Sequence, residues 1–183
     1  MIIYTIQPQQ ILNELIANKK YTCDTHKSHY RNDFDKEYRW MTSRMDSKAI
    51  PHPENLVYPI WGWYRMNGCK PTLKELKEFT SDNDVILKLS IPKNKILLSD
   101  YDAWHYVLNN MWYDDSTSEQ EFDLMHTYFD TLPLFKQNRL KEKSWLKIFD
   151  ITKTKTDWSK TGYYVQGTFW EITDDMLIDV IKP

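Results

Sequence analysis

Glycine is scarce in this sequence, with four residues among 183. P-loop NTPases, protein kinases and Rossmann domains bind phosphates through loops with several closely spaced glycines, because only glycine lets the backbone approach a phosphate so closely. No such loop is present in the sequence. This absence excludes the three classes as leading candidates.

Cysteine is also rare: Cys23 and Cys69 form no CxxC motif. Such usage favours a reducing compartment over a disulfide scaffold. The spacing of Cys23, His26 and His29 is typical of zinc ligands, but a structural zinc site takes four ligands and no second pair is present. We therefore expect no metal.

Long apolar runs are absent as well. No stretch approaches the roughly 20 residues that a membrane helix needs. The first residues, Met1 to Ile6, lack the basic and apolar regions of a signal peptide. The sequence therefore predicts a cytoplasmic protein with no membrane partner.

The composition is that of one globular domain spanning residues 1–183, with 41% hydrophobic and 27% charged residues. The net charge of −2 supplies no overall attraction to nucleic acid. The charges are nevertheless segregated: Tyr106 to Phe135 contains no Lys or Arg, whereas Lys136 to Lys160 holds eight basic and three acidic residues. Two interpretations stay open, a pair of solvated helix faces of opposite sign or a basic surface that contacts phosphates.

Apolar periodicity and capping motifs predict an α+β fold, in which helices pack on a small, mainly antiparallel sheet, continuous or split. Ser99-x-x-Asp102 is one of the predicted capping boxes. In chain order the predicted elements are strand 1–7, helix 8–18, a helix from Asn32 or Asp33 to Lys48, strand Val57 to Met66, a helix from Thr72 to Phe79, strands 84–91 and 96–98, helices from Ser99 and from Ser118, a basic helix 137–149, strand 162–172 and a C-terminal helix capped by Thr173.

Several motifs together resemble a bacterial family known as domain of unknown function 3841, over nearly the full length. The most specific of them is the Ser-Asp-x-x-x-Trp-His segment that begins at Ser99. The resemblance implies a compact intracellular domain of a bacterium or phage and assigns no catalytic residues. The matching segments are 5–7, 58–64, 97–109, 143–150 and 165–172.

The segment from Ser99 to Asn109 is both polar and aromatic. On a helix, Asp102, His105 and Asn109 lie within one neighbourhood, and Asp102 could orient His105 as a general base. The alternative is a helix cap followed by a surface histidine. Neither interpretation is settled by the sequence.

Aromatic residues make up 15% of the chain, and three of them stand in Trp61-Gly62-Trp63-Tyr64. On a strand, Trp61 and Trp63 share one face and Tyr64 lies on the other. The two rings could form a wall against which a planar ligand stacks, and Gly62 could mark a close backbone approach. The alternative is that the two tryptophans cover the core.

The last predicted strand places Gln166, Thr168 and Trp170 on one face. Glu171 falls on the opposite, more apolar face, where burial of a carboxylate would need a compensating interaction. Either Glu171 takes part in chemistry, or it emerges into solvent at the strand end.

The predicted order of elements also resembles, at the level of the fold, ADP-ribosyltransferase-like domains, which act on NAD. The resemblance implies rings that hold nicotinamide and a carboxylate that stabilises a cationic transition state. It makes Glu171 a candidate catalytic residue, in addition to His105 and Asp102 of the segment that begins at Ser99. The candidate ligand-binding residues are Tyr4, Gln7, Trp61, Trp63, Tyr64, Ser99, Asn109 and Gln166.

A second hypothesis is a nucleotide- or nucleic-acid-binding module that stacks a base between aromatic rings. The basic segment Lys136 to Lys160 would then contact phosphates. A third class, a partner-binding protein in a conflict between phage and host, leaves no testable mark in the sequence.

Overall fold

The computed structural model describes residues 1–23, 34–50, 52–53 and 58–182. The predicted cap at Asn32 or Asp33, His26, His29 and Val57 lie outside these residues. Short 3-10 turns occur at Lys93–Lys95, Trp145–Phe149 and Asp174–Met176. The regular elements are β1 (Ile2–Pro8), α1 (Gln9–Asn18), β2 (Lys20–Thr22), α2 (Asp35–Ser47), β3 (Ile60–Arg65), α3 (Leu73–Lys77), β4 (Asp84–Ser90), β5 (Leu97–Asp100), α4 (Tyr101–Leu108), α5 (Glu119–Asp130), α6 (Leu134–Ser144), β6 (Thr154–Lys155), β7 (Lys160–Thr161), β8 (Val165–Phe169), β9 (Glu171–Thr173) and β10 (Leu177–Ile181).

Six of the strands form a central sheet in the order β10-β4-β1-β3-β8-β5, and every neighbouring pair is antiparallel. Two small ladders, β2 with β9 and β6 with β7, lie outside it. The predicted α+β class with a mainly antiparallel sheet is confirmed.

Each face of the sheet is covered by different helices. On one face, Leu12 and Leu15 of α1 join an apolar cluster with the inward side chains of β4. On the other face, Met41 of α2 and Trp104 of α4 pack with Trp145. Helices therefore lie on both faces of the sheet, and both faces are buried.

The contact between β1 and β3 is narrow. Only Tyr4 and Trp63 are paired there, whereas β1 pairs with β4 over seven residues. The Thr5 hydroxyl donates to the Trp61 carbonyl over 2.7 Å. A Cβ atom on Gly62 would lie 3.2 Å from the Tyr4 carbonyl oxygen. Gly62 thus marks a close backbone approach, as expected.

The predicted cap of α4 is wrong by one residue. Asp100 is the N-cap, and its carboxylate accepts hydrogen bonds from the backbone N–H groups of Ala103 (2.9 Å) and Gly162 (2.5 Å). Ser99 is instead a fully buried residue of β5. The capping box that begins at Thr72 and the cap at Ser118 are confirmed.

The predicted C-terminal helix is also wrong. The chain makes a 3-10 turn after Thr173 and then adds β10 to the sheet beside β4. The pairing with β10 covers an edge of β4 that would otherwise expose unpaired backbone groups. The predicted strand 162–172 is likewise interrupted at Trp170, whose indole donates to the Ile50 carbonyl over 3.1 Å.

Candidate functional site

A groove of about 310 Å³ opens beside the narrow β1–β3 contact. We call it the β1–β3 groove. It combines five aromatic side chains with two amides, and Cys23 also lines it. The aromatic residues and amides are Tyr21, Tyr38, Tyr58, Trp61, Trp63, Gln7 and Gln166.

One row of side chains crosses the sheet beneath this region. Tyr4, Trp63, Gln166 and Ser99 are successive partners on β1, β3, β8 and β5, so they share one face. All four are candidate ligand-binding residues, yet only Trp63 and Gln166 line the groove. Tyr4 is 6% and Ser99 0% exposed, so these two side chains belong to the core.

The two tryptophans of β3 are covered by rings of α4. The Trp61 and Trp104 ring centroids are 5.2 Å apart, and those of Trp63 and Tyr101 are 4.9 Å apart. The helix thus packs directly on the tryptophans, and it contributes no residue to the groove. Trp63 is 5% exposed. The tryptophans cover the core, as one interpretation held, and both also line the groove.

Tyr64 points to the opposite face, as its alternation with the tryptophans predicts. It packs against the apolar cluster beneath α1, and the Arg65 guanidinium lies 5.6 Å from its ring centroid. It is not among the groove-lining residues.

Polar groups at the groove are incompletely satisfied. Gln7 donates its amide N–H to the Thr5 hydroxyl over 2.7 Å, which leaves its carbonyl oxygen available. The side-chain amide of Gln166, a residue of β8, has no hydrogen-bond partner among the described residues. The buried indole N–H of Trp61 also lacks an acceptor within this part of the chain. Buried donors are normally satisfied, so a ligand or water acceptor is expected here.

Glu171 lies at the start of β9, away from these rings. Its carboxylate is 2.7 Å from the Lys20 ammonium and 3.1 Å from that of Lys95. The hydrogen bond from Lys20, with a further contribution from Lys95, holds the pKa of Glu171 below its usual range. Glu171 lines a second cavity of about 310 Å³ beside Trp170, and no residue lines both this cavity and the β1–β3 groove.

Asp102 and His105 do not form an oriented pair. His105 Nδ1 lies 2.9 Å from the Tyr101 carbonyl oxygen, so this nitrogen donates to the backbone. Asn109 donates its side-chain N–H to the His105 carbonyl over 2.7 Å and ends the helix. Both contacts are made within α4 and its C-terminal cap.

Asp102 is exposed at a third and larger cavity, of about 440 Å³. Partial desolvation, followed by repulsion from Asp100, raises the pKa of its carboxyl. Tyr113 lines the same cavity, and its burial, followed by nearby carboxylates, raises its pKa to about 12. The sequence did not indicate this cavity, because its walls come from segments that are distant in the chain.

Asp114 and His126 form a further pair at this cavity that the sequence did not indicate. His126 Nε2 lies 3.0 Å from the Asp114 carboxylate. The same carboxylate accepts a hydrogen bond from the Ser116 N–H over 2.8 Å. Burial opposes ionisation of Asp114, but these hydrogen bonds outweigh it and lower the pKa. Phe122 stacks on His126 with ring centroids 4.0 Å apart.

The basic segment does not contribute to the β1–β3 groove. Of its basic residues, Lys147 and Lys160 line the third cavity. The Lys147 ammonium contacts Asp115 at 2.5 Å, and that of Lys160 lies 4.3 Å from the ring centroid of Tyr163. Contact of this segment with nucleic acid stays a prediction.

Comparison with known families identifies one match: the family described as Domain of unknown function (DUF3841) matches residues 2–178. No curated protein and no solved structure matches significantly. Within the described ranges, no helix has the length and apolar character needed to cross a bilayer. No cluster of three or more His, Cys, Asp or Glu side chains suited to a metal occurs among those residues.

Proposed function

We propose that this chain, which belongs to the DUF3841 family, binds a nucleotide through its base in the β1–β3 groove. The proposal rests on one observation: the aromatic side chains of Tyr38 and Trp61 line one opening together with the amides of Gln7 and Gln166. Aromatic rings stack on the faces of any base, and amides hydrogen-bond to its edges. The site therefore suits a planar, polar-edged ring.

The dimensions also favour a single base. Small-ligand sites commonly occupy about 300–1,000 Å³, and the groove, at about 310 Å³, lies at the lower limit. A base would fill it, and the ribose and phosphate would extend outward. The buried Trp61 N–H, which has no acceptor among the described residues, could donate to a base carbonyl or ring nitrogen.

Transfer of ADP-ribose from NAD requires a catalytic group in addition to a binding site. It requires a carboxylate beside the nicotinamide ribose, and the candidate, Glu171, lies in another cavity and is ion-paired with Lys20 and Lys95. The groove supports base binding without this step. NAD is nevertheless an informative ligand, because both of its rings are planar.

Isothermal titration calorimetry tests the proposal with AMP, GMP, CMP, UMP, NAD and ribose 5-phosphate. The base-containing ligands should bind and ribose 5-phosphate should not, since stacking needs a ring. The proposal fails if none of the nucleotides binds, or if ribose 5-phosphate binds as tightly as they do. Release of nicotinamide from NAD, followed in parallel, would instead support the transferase.

A matched pair of variants locates the site. Gln166→Leu keeps the side-chain size and removes one hydrogen bond, so affinity should fall about 2- to 10-fold. Gln10→Leu makes the same change on α1, where Gln10 is exposed and its amide donates to Glu14, and should leave affinity unchanged. Equal effects of the two variants would place the ligand elsewhere.

A further inference from the structure

The hairpin formed by α5 and α6 is thinly packed on the rest of the molecule. Phe129 is the only buried residue of α5, and Ser144 the only one of α6. Helices of 11 or 12 residues gain most of their stability from tertiary packing. Most of the surface of the hairpin is therefore free to pack against another molecule.

Large apolar side chains project outward from this hairpin. Leu124 is 73% and Tyr128 63% exposed, one turn apart on the outer side of α5. Leu134 and Phe135, each 69% exposed, begin α6 after a connection of three residues. A single exposed leucine is ordinary, but several on one hairpin indicate an interaction surface. We call these four residues the hairpin surface.

The two helices beside the hairpin surface carry charges of opposite sign. α5 carries only acidic charges, and α6 carries four basic residues against Glu142. No salt bridge joins α5 to α6 within the described residues, so the two sets of charges are not used to hold the hairpin together. The acidic residues are Glu119, Glu121, Asp123 and Asp130, and the basic ones are Lys136, Arg139, Lys141 and Lys143.

We infer that the hairpin surface binds a second copy of this chain, with α5 of each protomer against α6 of the other. A twofold axis creates both contacts at once, because the same patch serves both protomers. Acidic α5 then meets basic α6 twice, around an apolar centre formed by the hairpin surface. A nucleic acid would be attracted by α6 and repelled by the carboxylates of α5, so a second copy fits both helices better.

Sedimentation velocity tests this inference on the whole chain. Wild type should sediment as a dimer, and Leu124→Asp with Phe135→Asp should sediment as a monomer of half the mass. Ile16→Asp is the matched control, because Ile16 is 68% exposed on α1 and lies far along the chain from the hairpin. It should remain dimeric, and circular dichroism should show that all variants are folded.

Charge reversal tests the pairing itself. Glu119→Lys with Asp123→Lys and Asp130→Lys makes the net charge of α5 positive, whereas Lys136→Glu with Arg139→Glu makes that of α6 negative. Each variant alone should be monomeric, because α5 and α6 then carry charge of the same sign and repel across the axis. An equal mixture of the two should restore the dimer, since each now supplies the charge that the other lacks.

Three results would overturn the inference. They are a monomeric wild type at high protein concentration, a dimer that survives Leu124→Asp with Phe135→Asp, and reversed variants that dimerise as well as wild type. The wild type could instead be monomeric and bind an oligonucleotide. If the Lys136→Glu and Arg139→Glu double variant then failed to bind the oligonucleotide, α6 would be a nucleic-acid surface. Nucleotide affinity at the β1–β3 groove should not change in any of these variants, which separates the two proposals.

Discussion

The Glu171 carboxylate lies 2.7 Å from the Lys20 ammonium, and this ion pair links the ends of the β2–β9 ladder. The contact explains why a carboxylate follows Phe169 and Trp170 in the sequence. Lys20 and Lys95 compensate its partial burial. Glu171 thus has a structural reason for its position that does not depend on catalysis.

Glu171→Gln should therefore change stability in a pH-dependent way. Because the folded pKa is lowered, the carboxylate stabilises the fold above its unfolded pKa, and this contribution is lost as pH falls through the folded pKa. At neutral pH the variant should lose up to about 1 kcal/mol, as expected for a partly exposed ion pair. Urea unfolding at pH about 7 and about 3 measures the difference, which should be smaller at the lower pH. An equal loss at both would contradict the prediction.

Asp100 and Ser99 are adjacent residues for which opposite outcomes are expected. Asp100→Ala removes the acceptor for Ala103 N–H and Gly162 N–H and should cost about 2–4 kcal/mol. Ser99→Ala removes a buried hydroxyl that has no partner among the described residues, so its effect should be within about 0.5 kcal/mol or stabilising. Denaturant unfolding of both variants checks the pair. A large loss of unfolding free energy in Ser99→Ala would instead indicate that Ser99 is the N-cap residue.

Tyr113→Phe should reduce the sensitivity of the fold to alkali. The pKa of Tyr113 is about 12 in the folded chain and about 10 when unfolded. Between these values the unfolded chain releases a proton that the folded chain keeps, so stability falls as pH rises. Unfolding free energies at pH about 9 and about 11 should show a smaller decline for the variant. Equal declines for wild type and variant would contradict the prediction.

Gly62→Ala should strain the narrow β1–β3 contact. The added Cβ would lie 2.4 Å from Ile3 Cγ2 and 3.2 Å from the Tyr4 carbonyl oxygen. Overpacking of this kind costs about 1–3 kcal/mol, measurable by thermal or urea unfolding. In an Ile3→Ala background the closest contact disappears, so the extra cost should be smaller. An unchanged cost would show that the backbone contact alone is responsible.

Elements with a clear local pattern were predictable. β4 alternates apolar and polar residues because one face is more deeply buried, and the prediction of 84–91 is close to the observed Asp84–Ser90. The capping box from Thr72 to Glu75 is a contact between residues three apart, so its residues can be recognised in the sequence. In both cases the determining interactions are local.

Elements that depend on distant partners were not predictable. Ser99 and Asp100 are both good N-cap residues, and Asp100 is the cap in a fold where Gly162 N–H also reaches its carboxylate. Residues 177–181 suit a helix or a strand, and the free edge of β4 favoured the strand. The candidate site was likewise only partly predictable. The sequence identified four of its residues as ligand-binding candidates, Trp61, Trp63, Gln7 and Gln166. It did not identify Tyr21, Tyr38 and Tyr58.

The sequence by itself determined the fold class, most helices and strands, and the membership in a family recognised from its motifs, because periodicity, capping and short motifs are properties of neighbouring residues. Only the tertiary structure decided that Glu171 pairs with Lys20 and Lys95, that Trp104 covers Trp61, and that the β1–β3 groove is separate from both Glu171 and His105. Those relationships depend on strand order and register. They join residues that are far apart in the chain, and no local pattern specifies which of them meet.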